Sequence, residues 1–329
     1  MKKSLVVCLG LAAVGLGSVL AVGAVAAQEK FPSKPGTIVV PASAGGVTDT
    51  LGRALADHFS RVFDNQFIVE NRAGANNQIA AEHVAKSEPD GTVLFVSPEG
   101  TFTSNPALYP KLNYDPETDF TPIVGLVIIN HALVTNPSLK AKSVKDLLET
   151  AKSKPGSLNY GTFGVGSSGH LNMEMLQSMA KVKLQPVHYK GATPALTDVV
   201  AGHIQMMFIS VGSAVPQWKG GKVNILAIGA GERLKALPDV ATVSESVPGY
   251  KAQSWFGLFG PAGMKPELVK RINAEVRSLF DKPEFQQKFL ARYYFEPIAG
   301  TPEQLADFVK SEAPRWRKVI QEAGVSAVK

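Results

Sequence analysis

Cysteine is nearly missing from this sequence: among 329 residues only Cys8 is present. It lies in an apolar N-terminal stretch, so the rest of the chain has neither a disulfide framework nor a thiol nucleophile. Charge is sparse as well. Charged residues make up 19% and hydrophobic ones 45%, which gives enough apolar content for real cores and too little charge for disorder. No run of five or six basic residues occurs, and the formal charge of +6 is scattered, so nucleic acid is not expected as a partner. The six histidines never fall at ligand spacing with acids, and neither a metal nor a cofactor is expected. No long Gly/Ser linker separates the two domains' worth of chain that the length allows.

What is present begins with Met1-Lys2-Lys3, an apolar run from Leu5 to Val25, and then Ala26-Ala27-Gln28. This pattern is that of an export signal, 1–27, cleaved after Ala26 or Ala27. The run is long enough to span a membrane, but its Gly and Ala content and its Ala-x-Ala end favour cleavage. Loss of Lys2 and Lys3 takes the formal charge from +6 to +4 and leaves no cysteine.

The remaining chain is organised around Asn159 to Leu171, a short strand, a glycine-rich turn and the start of a helix. Leu171, Met175 and Met179 recur every fourth residue and Leu176 widens the stripe, as on a helix packed against a core. Ser167 and Ser168 can cap that helix, and the glycines let backbone approach a ligand. A helix start carries unpaired N–H donors and partial positive charge, so the turn is suited to an anion. Gly164, Gly166 and Gly169 satisfy G-x-G-x-x-G. A dinucleotide site would also need an acid roughly 20 residues further on, where Pro186 to Lys190 stands instead.

The pattern recurs from the start of the exported chain. Gly36 to Val40 reads as a strand, and Ser43, Ala44, Gly45, Gly46 and Val47 form a turn. Thr48 is the expected cap of a helix whose stripe is Leu51, Leu55, Phe59 and Val62. Asp49 in its first turn either stabilises the dipole or contacts a ligand. Phe67–Asn71 and Thr92–Val96 are further strands, and Ile79–Lys86 a helix. The second of these strands leads to the Ser97–Thr101 loop, where Glu99 is either a solvated acid or the partner of a ligand amine. Strands alternating with helices imply parallel sheets with ligands at the carboxyl ends of the strands. Ile123–Asn130 and Trp255–Pro261 read as crossings between two such units. Ser143–Lys152 is a helix, and Thr193 is the expected cap of another that has Pro194 at its first position and Gly202 at its end. Ile204–Ile209 runs into Ser210, and Asn224–Ile228 is a buried strand. Pro266–Asp281 and Pro302–Glu322 are long helices, the second capped by Thr301. The fold class is α/β, with two lobes and a ligand cleft between them. A secreted hydrolase using Ser167 or Ser168 with His170 is the alternative, although Gly166-Ser167-Ser168-Gly169 is not G-x-S-x-G.

Several motifs resemble those of a known family. Pro41-x-x-x-Gly45-Gly46-x-x-Asp49-x-x-x-Arg53 and Val69-Glu70-Asn71-Arg72-x-Gly74 resemble the first lobe of the tripartite tricarboxylate transporter receptors, or Bug proteins. Tyr160-Gly161-x-x-Gly164-x-Gly166-Ser167-x-x-His170-Leu171-x-x-Glu174 is similar to their second-lobe signature. Tyr189-Lys190-Gly191, Arg233-x-x-x-Leu237-Pro238-Asp239-Val240 and Trp255-x-Gly257-x-x-x-Pro261 continue the match over essentially the whole exported chain. Two departures stand out: Asn76-Asn77 replaces a glycine pair, and Pro41-Ala42-Ser43-Ala44 lacks the usual phenylalanine.

The resemblance implies a periplasmic receptor of the type II binding-protein fold, each lobe a mostly parallel sheet flanked by helices, joined by crossing strands. Lobe 1 would be 28–127 plus 255–329, and lobe 2 would be 128–254. Such receptors are not enzymes. As a monomer, this one would close on a small carboxylate (a dicarboxylate, tricarboxylate, amino acid or aromatic acid) and present it to membrane permease subunits or serve in sensing. The expected contacts are Ser43 to Asp49, Glu99 and Thr101 from the first lobe. From the second come Phe163, Gly166, Ser167, Ser168, His170, Tyr189, Lys190, Gly191 and Ser210. Neither Pro41–Asp49 nor Gly161–His170 contains Arg or Lys, so helix starts must provide most of the anion binding.

Overall fold

Side chains that alternate between two covered faces decide where the strands lie, and the helices fill both faces. The computed structural model of the protein describes residues 31–325; the expected export signal lies outside the described residues. The first part of the chain runs β1 (Gly36–Val40), α1 (Val47–Val62), β2 (Phe67–Asn71), α2 (Gln78–Ala85), β3 (Val93–Pro98) and the single turn α3 (Asn105–Leu108). The long strand β4 (Phe120–Thr135) leads to α4 (Val144–Ser153), β5 (Asn159–Thr162), α5 (Ser168–Ala180), β6 (Gln185–His188), α6 (Ala192–Ala201), β7 (Met206–Ser210), α7 (Val211–Lys219) and β8 (Asn224–Ile228). The chain returns through β9 (Gln253–Pro261) to α8 (Pro266–Phe280). A strap follows, made of α9 (Pro283–Phe285), a π-helical turn (Gln286–Leu290), α10 (Ala291–Tyr293) and β10 (Phe295–Pro297), before α11 (Pro302–Ala323).

The strand order is β2-β1-β3-β9-β4-β7-β5-β6, with β8 and β10 also paired to β4. β1 is parallel to β2 and β3, and β5 is parallel to β6 and β7. Every antiparallel pairing among the described residues involves β4 or β9. The sheet is therefore mixed: two parallel sets, joined by crossing strands. Residues 120–130 of β4 pair with β9, and residues 131–135 pair with β7 and β8.

The two-residue period of a strand separates the cores. In β1, Ile38 and Val40 enter one apolar cluster with Leu55, Phe59 and Ile272, while Val39 enters another with Ala80, Phe95 and Trp255. In β7, Met206 and Phe208 face Leu147, Tyr160 and Leu176, while Met207 and Ile209 face Val199 and Ala214. Coverage on both faces is why these strands are apolar throughout. Trp316 and Ile320 of α11 pack with Leu108 of α3 and Leu171 of α5, so the C-terminal helix holds both parts together. Its start is fixed by a capping box in which Thr301 and Gln304 bond reciprocally.

Some local expectations are corrected. Thr48 is not the cap of α1; Gly46 is, in extended backbone without a side-chain bond, because Asp49 reaches back to the turn instead. Helix α6 starts at Ala192 with Gly191 as its cap, two residues ahead of the expected Thr193 cap. Pro194 is tolerated there because first-turn N–H groups lack intrahelical partners in any case. Val62 and Met179, read as core positions, are 39% and 40% exposed. Phe63 takes the place of Val62, in a ring cluster with Phe59 and Phe67, and Met173 and Leu176 carry the buried face of α5.

Candidate functional site

The two parallel sets run toward each other. At the end of β3, Pro98 pairs with Phe256 of β9, and Phe256 pairs with Val127 of β4. At the end of β7, Ser210 pairs with His131 of β4. Four residues of one strand thus separate the two carboxyl edges, about 13 Å at strand rise. The turns after β1, β3, β5, β6 and β7 all open onto this gap. Carboxyl edges at a change of strand order are where open α/β sheets take ligands.

On the first edge, Asp49 organises the Pro41–Gly46 turn. Its Oδ2 accepts from Gly45 N–H and Arg53 Nε, both at 2.9 Å, and its Oδ1 accepts from Arg53 Nη2 and Asn71 Nδ2, both at 3.0 Å. Asn71 Nδ2 also donates to Ala42 O at 2.9 Å. Burial pushes the Asp49 carboxyl up, but the Arg53, Gly45 and Asn71 hydrogen bonds outweigh it and hold its pKa below the ordinary value. Both oxygens are occupied by the protein, so Asp49 braces the turn. Ser43, Ala44 and Gly45 are exposed, Gly46 and Val47 are half-buried, and Thr48 is buried. At Gly45, φ is +84° and nothing lies within 4 Å of a Cβ position, leaving open space over the start of α1.

The second edge carries the Phe163–His170 turn. Ser167 caps α5: its Oγ donates to Gly164 O at 2.7 Å and accepts from His170 N–H at 3.4 Å. His170 Nδ1 accepts from Gly166 N–H at 3.1 Å, and its Nε2 lies 3.8 Å from Glu174 Oε1. Burial, with the neighbouring His188, lowers the His170 pKa to about 4, so the ring is neutral near pH 7. Its lone pair fixes the turn. Phe163 is half-buried, and its ring fills the space that a Cβ on Gly169 would need. Ser168 is half-buried and its hydroxyl is the free one of the serine pair.

Other expected contacts divide. Gly191 and Ser210 begin α6 and α7 without a side-chain cap, so their helix starts keep free donors at the gap. Ser210 Oγ donates to Ser213 Oγ at 2.9 Å. Tyr189 donates its hydroxyl to Asp198 at 2.6 Å, and Lys190 is exposed. Thr101 is turned inward: its Oγ1 accepts from Ser97 at 2.8 Å and its carbonyl accepts from Tyr114. Glu99 is neither in solvent nor in an open loop. It is 5% exposed, and its Oε2 has no hydrogen-bond partner among the described residues.

Three residues at the floor were not singled out from sequence: Asn130 and His131 of β4, and Ser254 of β9. His131 Nε2 and Ser254 Oγ are hydrogen-bonded at 2.8 Å, and Asn130 bonds Glu296 and Gln253. The available signal is a polar pair in the middle of a sixteen-residue strand that is apolar on either side of it. The departure at Asn76-Asn77 also has a structural reading. Asn76 and Asn77 have φ of +47° and +76°, backbone that a glycine pair adopts freely. Asn76 and Asn105 bond each other twice, at 2.7 Å each, which offsets the strain. Asn76 and Leu108 then lie against Gly166, where a Cβ would come within 3.1 Å and 2.3 Å of them.

Among the described residues no hydrogen bond joins the His170 ring to the Ser167 or Ser168 hydroxyl, since Nδ1 accepts from Gly166 N–H and only the His170 backbone N–H reaches Ser167 Oγ, so the nucleophile–base pair of a hydrolase is not assembled. A groove of about 600 Å³ lies between α1 and the strap, from Asp49 and Arg53 to Phe289 and Tyr293. It borders only the first turn, and the paired turns remain the candidate site. No group of three or more His, Cys, Asp or Glu residues that could hold a metal occurs among the described residues. No helix there is long and apolar enough to cross a membrane.

Comparison with known proteins bears on this geometry. A family profile described as the tripartite tricarboxylate transporter family receptor matches residues 51–325. A protein of Pseudomonas sp. (strain P51), named for the tcbD-tcbE intergenic region, is 34% identical over 91% of this chain and 89% of its own length. An R. palustris protein solved with adipate has a TM-score of 0.87 at 33% identity, covering 91% of this chain and all of its own. MatC from Rhodopseudomonas palustris, solved with malate, gives 0.82 at 33% identity over 88% of this chain. The architecture is that of the two-lobed periplasmic binding proteins.

Proposed function

The chain belongs to the tripartite tricarboxylate transporter receptor family, and on that premise we propose that it is a periplasmic receptor for a small carboxylate. The ligand sits between the Ala44–Asp49 and Gly164–His170 turns, and the two lobes close on it as a hinge motion. Lobe 1 is taken as 28–127 plus 255–329 and lobe 2 as 128–254. The loaded receptor then serves a membrane permease or a sensor.

One observation carries this reading: the starts of α1, α5, α6 and α7 all face the gap between the opposed carboxyl edges, in turns short of cationic side chains. A helix start offers unpaired N–H groups and about half a positive charge. Backbone donors that are already fixed cost no side-chain ordering and bind a carboxylate in a water-poor cleft. Relatives solved with adipate and malate make dicarboxylates the first compounds to test. The relatives are receptors, which points away from catalysis.

A thermal-shift screen of small carboxylates on the exported chain tests the reading. A ligand at 100 times its dissociation constant that binds only the folded state adds about 2.7 kcal/mol. Solution scattering should then show a smaller radius of gyration with ligand than without. An unchanged radius at saturation removes the closure, and no stabilisation by any carboxylate removes the receptor reading.

A further inference from the structure

Glu99 follows β3 directly, at the edge where Pro98 meets β9. Ser254 lies in β9 opposite Ile129, and His131 lies two residues on in β4, opposite Ser210 of the second parallel set. Glu99, Ser254 and His131 therefore form a line across the floor of the gap, from one carboxyl edge to the other. All three are at least 95% buried, at 5%, 3% and 4% exposure. Next to Glu99, a Cβ on Gly100 would face Ser104 and Asn77, and Ser104 is the residue whose hydroxyl approaches Gly166 O of the second turn at 3.5 Å.

No cation among the described residues stabilises Glu99. Ser254 and the backbone of Trp255 contact it from β9, and the charge that acts on it through space is that of another acid, Glu312 of α11. Glu312 already pairs with Arg315 at 3.3 Å. His131, reached through Ser254, is held neutral by burial, its pKa lowered to about 4. An ionised Glu99 would thus be a desolvated charge without a cation. Burial raises its pKa to about 7, against the hydrogen bonding of Ser254 and of the Glu99 and Trp255 backbone. A protonated carboxyl has a donor to offer, and Oε2, which is buried and has no partner among the described residues, is the oxygen left to present it.

We propose that Glu99 is a specificity residue of the cleft, which as a neutral acid donates an Oε2–H hydrogen bond to the second carboxylate of a dicarboxylate ligand. The proposal rests on the receptor reading above. It places a side-chain donor at the floor of the gap for the far end of the ligand, without placing a cation there. The proton stays on Glu99, the ligand stays dianionic, and a chain whose Glu99 is ionised must take up one proton from solvent on binding. An amino-bearing ligand would need the opposite state, an ionised Glu99 accepting from ammonium, with proton release.

Calorimetric titration of the exported wild-type chain with adipate, malate and aspartate at pH 6, 7, 8 and 9, in buffers of different ionisation enthalpy, tests this. The expected result is a dicarboxylate affinity that levels off at pH 6, then falls about tenfold per pH unit above 7, with up to one proton taken up. Glu99→Gln, whose amide still donates, should bind the same acid with no pH dependence over that range. A wild-type affinity independent of pH, an unchanged profile in Glu99→Gln, or aspartate binding that strengthens with pH would each overturn the proposal and leave the receptor reading standing. Failure of all three acids to bind at any pH would overturn both. The wild-type profile and proton count decide the matter even if the variant folds poorly.

Discussion

Gly166→Ala probes the place where the two halves touch. Gly166 has φ of +76°, and its Cβ would stand 2.3 Å from Leu108 Cδ1 and 3.1 Å from Asn76 Nδ2. Two costs follow. Holding alanine in left-handed backbone costs about 1–2 kcal/mol. Displacing Leu108, which is 6% exposed and packed on Leu171 and Trp316, adds an overpacking cost of about 1–3 kcal/mol. Only the second cost depends on Leu108. Leu108→Ala alone should lose about 2–5 kcal/mol through the cavity it leaves, yet it makes room for the new methyl group. The double variant should therefore be more stable than the sum of the single changes by about 0.5–3 kcal/mol. Urea unfolding of the four proteins measures this coupling. Additivity within about 0.3–0.5 kcal/mol would refute the contact. Calorimetry should agree: Gly166→Ala weakens carboxylate binding by forcing the second turn away from α3, and the double variant recovers part of the loss.

Asp49→Ala removes an acceptor that serves four donors, and a hydrogen bond to a charged group is worth about 1.5–3 kcal/mol, so a loss of at least that size is expected; faster hydrogen exchange at the Gly45 amide would locate the loss in the turn. Ser167→Ala should cost about 0.5–2 kcal/mol of stability as a lost cap, whereas Ser168→Ala should leave thermal stability unchanged and act on binding alone; equal thermal shifts would contradict that division. For pH, the folded-state pKa of Glu99 is raised from 4.5 to about 7, so the folded chain holds this proton longer and the stability it contributes is lost as pH rises from 4.5 through 7. The size is on the order of 3 kcal/mol. His131 and His170, each lowered from 6.5 to about 4, act in the opposite direction, since their unfolded forms take up protons first as pH falls below 6.5. The readable quantity is the difference in stability between Glu99→Gln and wild type, which should grow with pH across that window; a constant difference would show that Glu99 titrates normally.

Much of the architecture was legible along the chain because it rests on local rules. Apolar runs covered on both faces placed β1 at Gly36–Val40 and β8 at Asn224–Ile228, and Thr301 with Pro302 marked the start of α11. Periodicity of two against four, and capping chemistry, need only neighbours in sequence. The identity of the two gap-facing turns was legible for the same reason, since a glycine-rich strand–turn–helix is a local motif. What tertiary structure alone decided is the division of labour inside those turns. Asp49, Ser167 and His170 look alike in sequence as ligand contacts, but folding sets Arg53 and Asn71 beside Asp49 and sets Gly164 O and Gly166 N–H beside Ser167 and His170, so their polar atoms are used by the protein itself. Glu99 shows the reverse. In sequence it is one acid in a loop, and only the crossing of β9 and the approach of α11 remove its water and set Glu312 in place of a cation. Partners so far apart in sequence, as with Glu99 and Ser254 or Asn76 and Asn105, leave no periodic trace, because a hydrogen bond or a desolvation cost depends on distance in space and not on spacing along the chain.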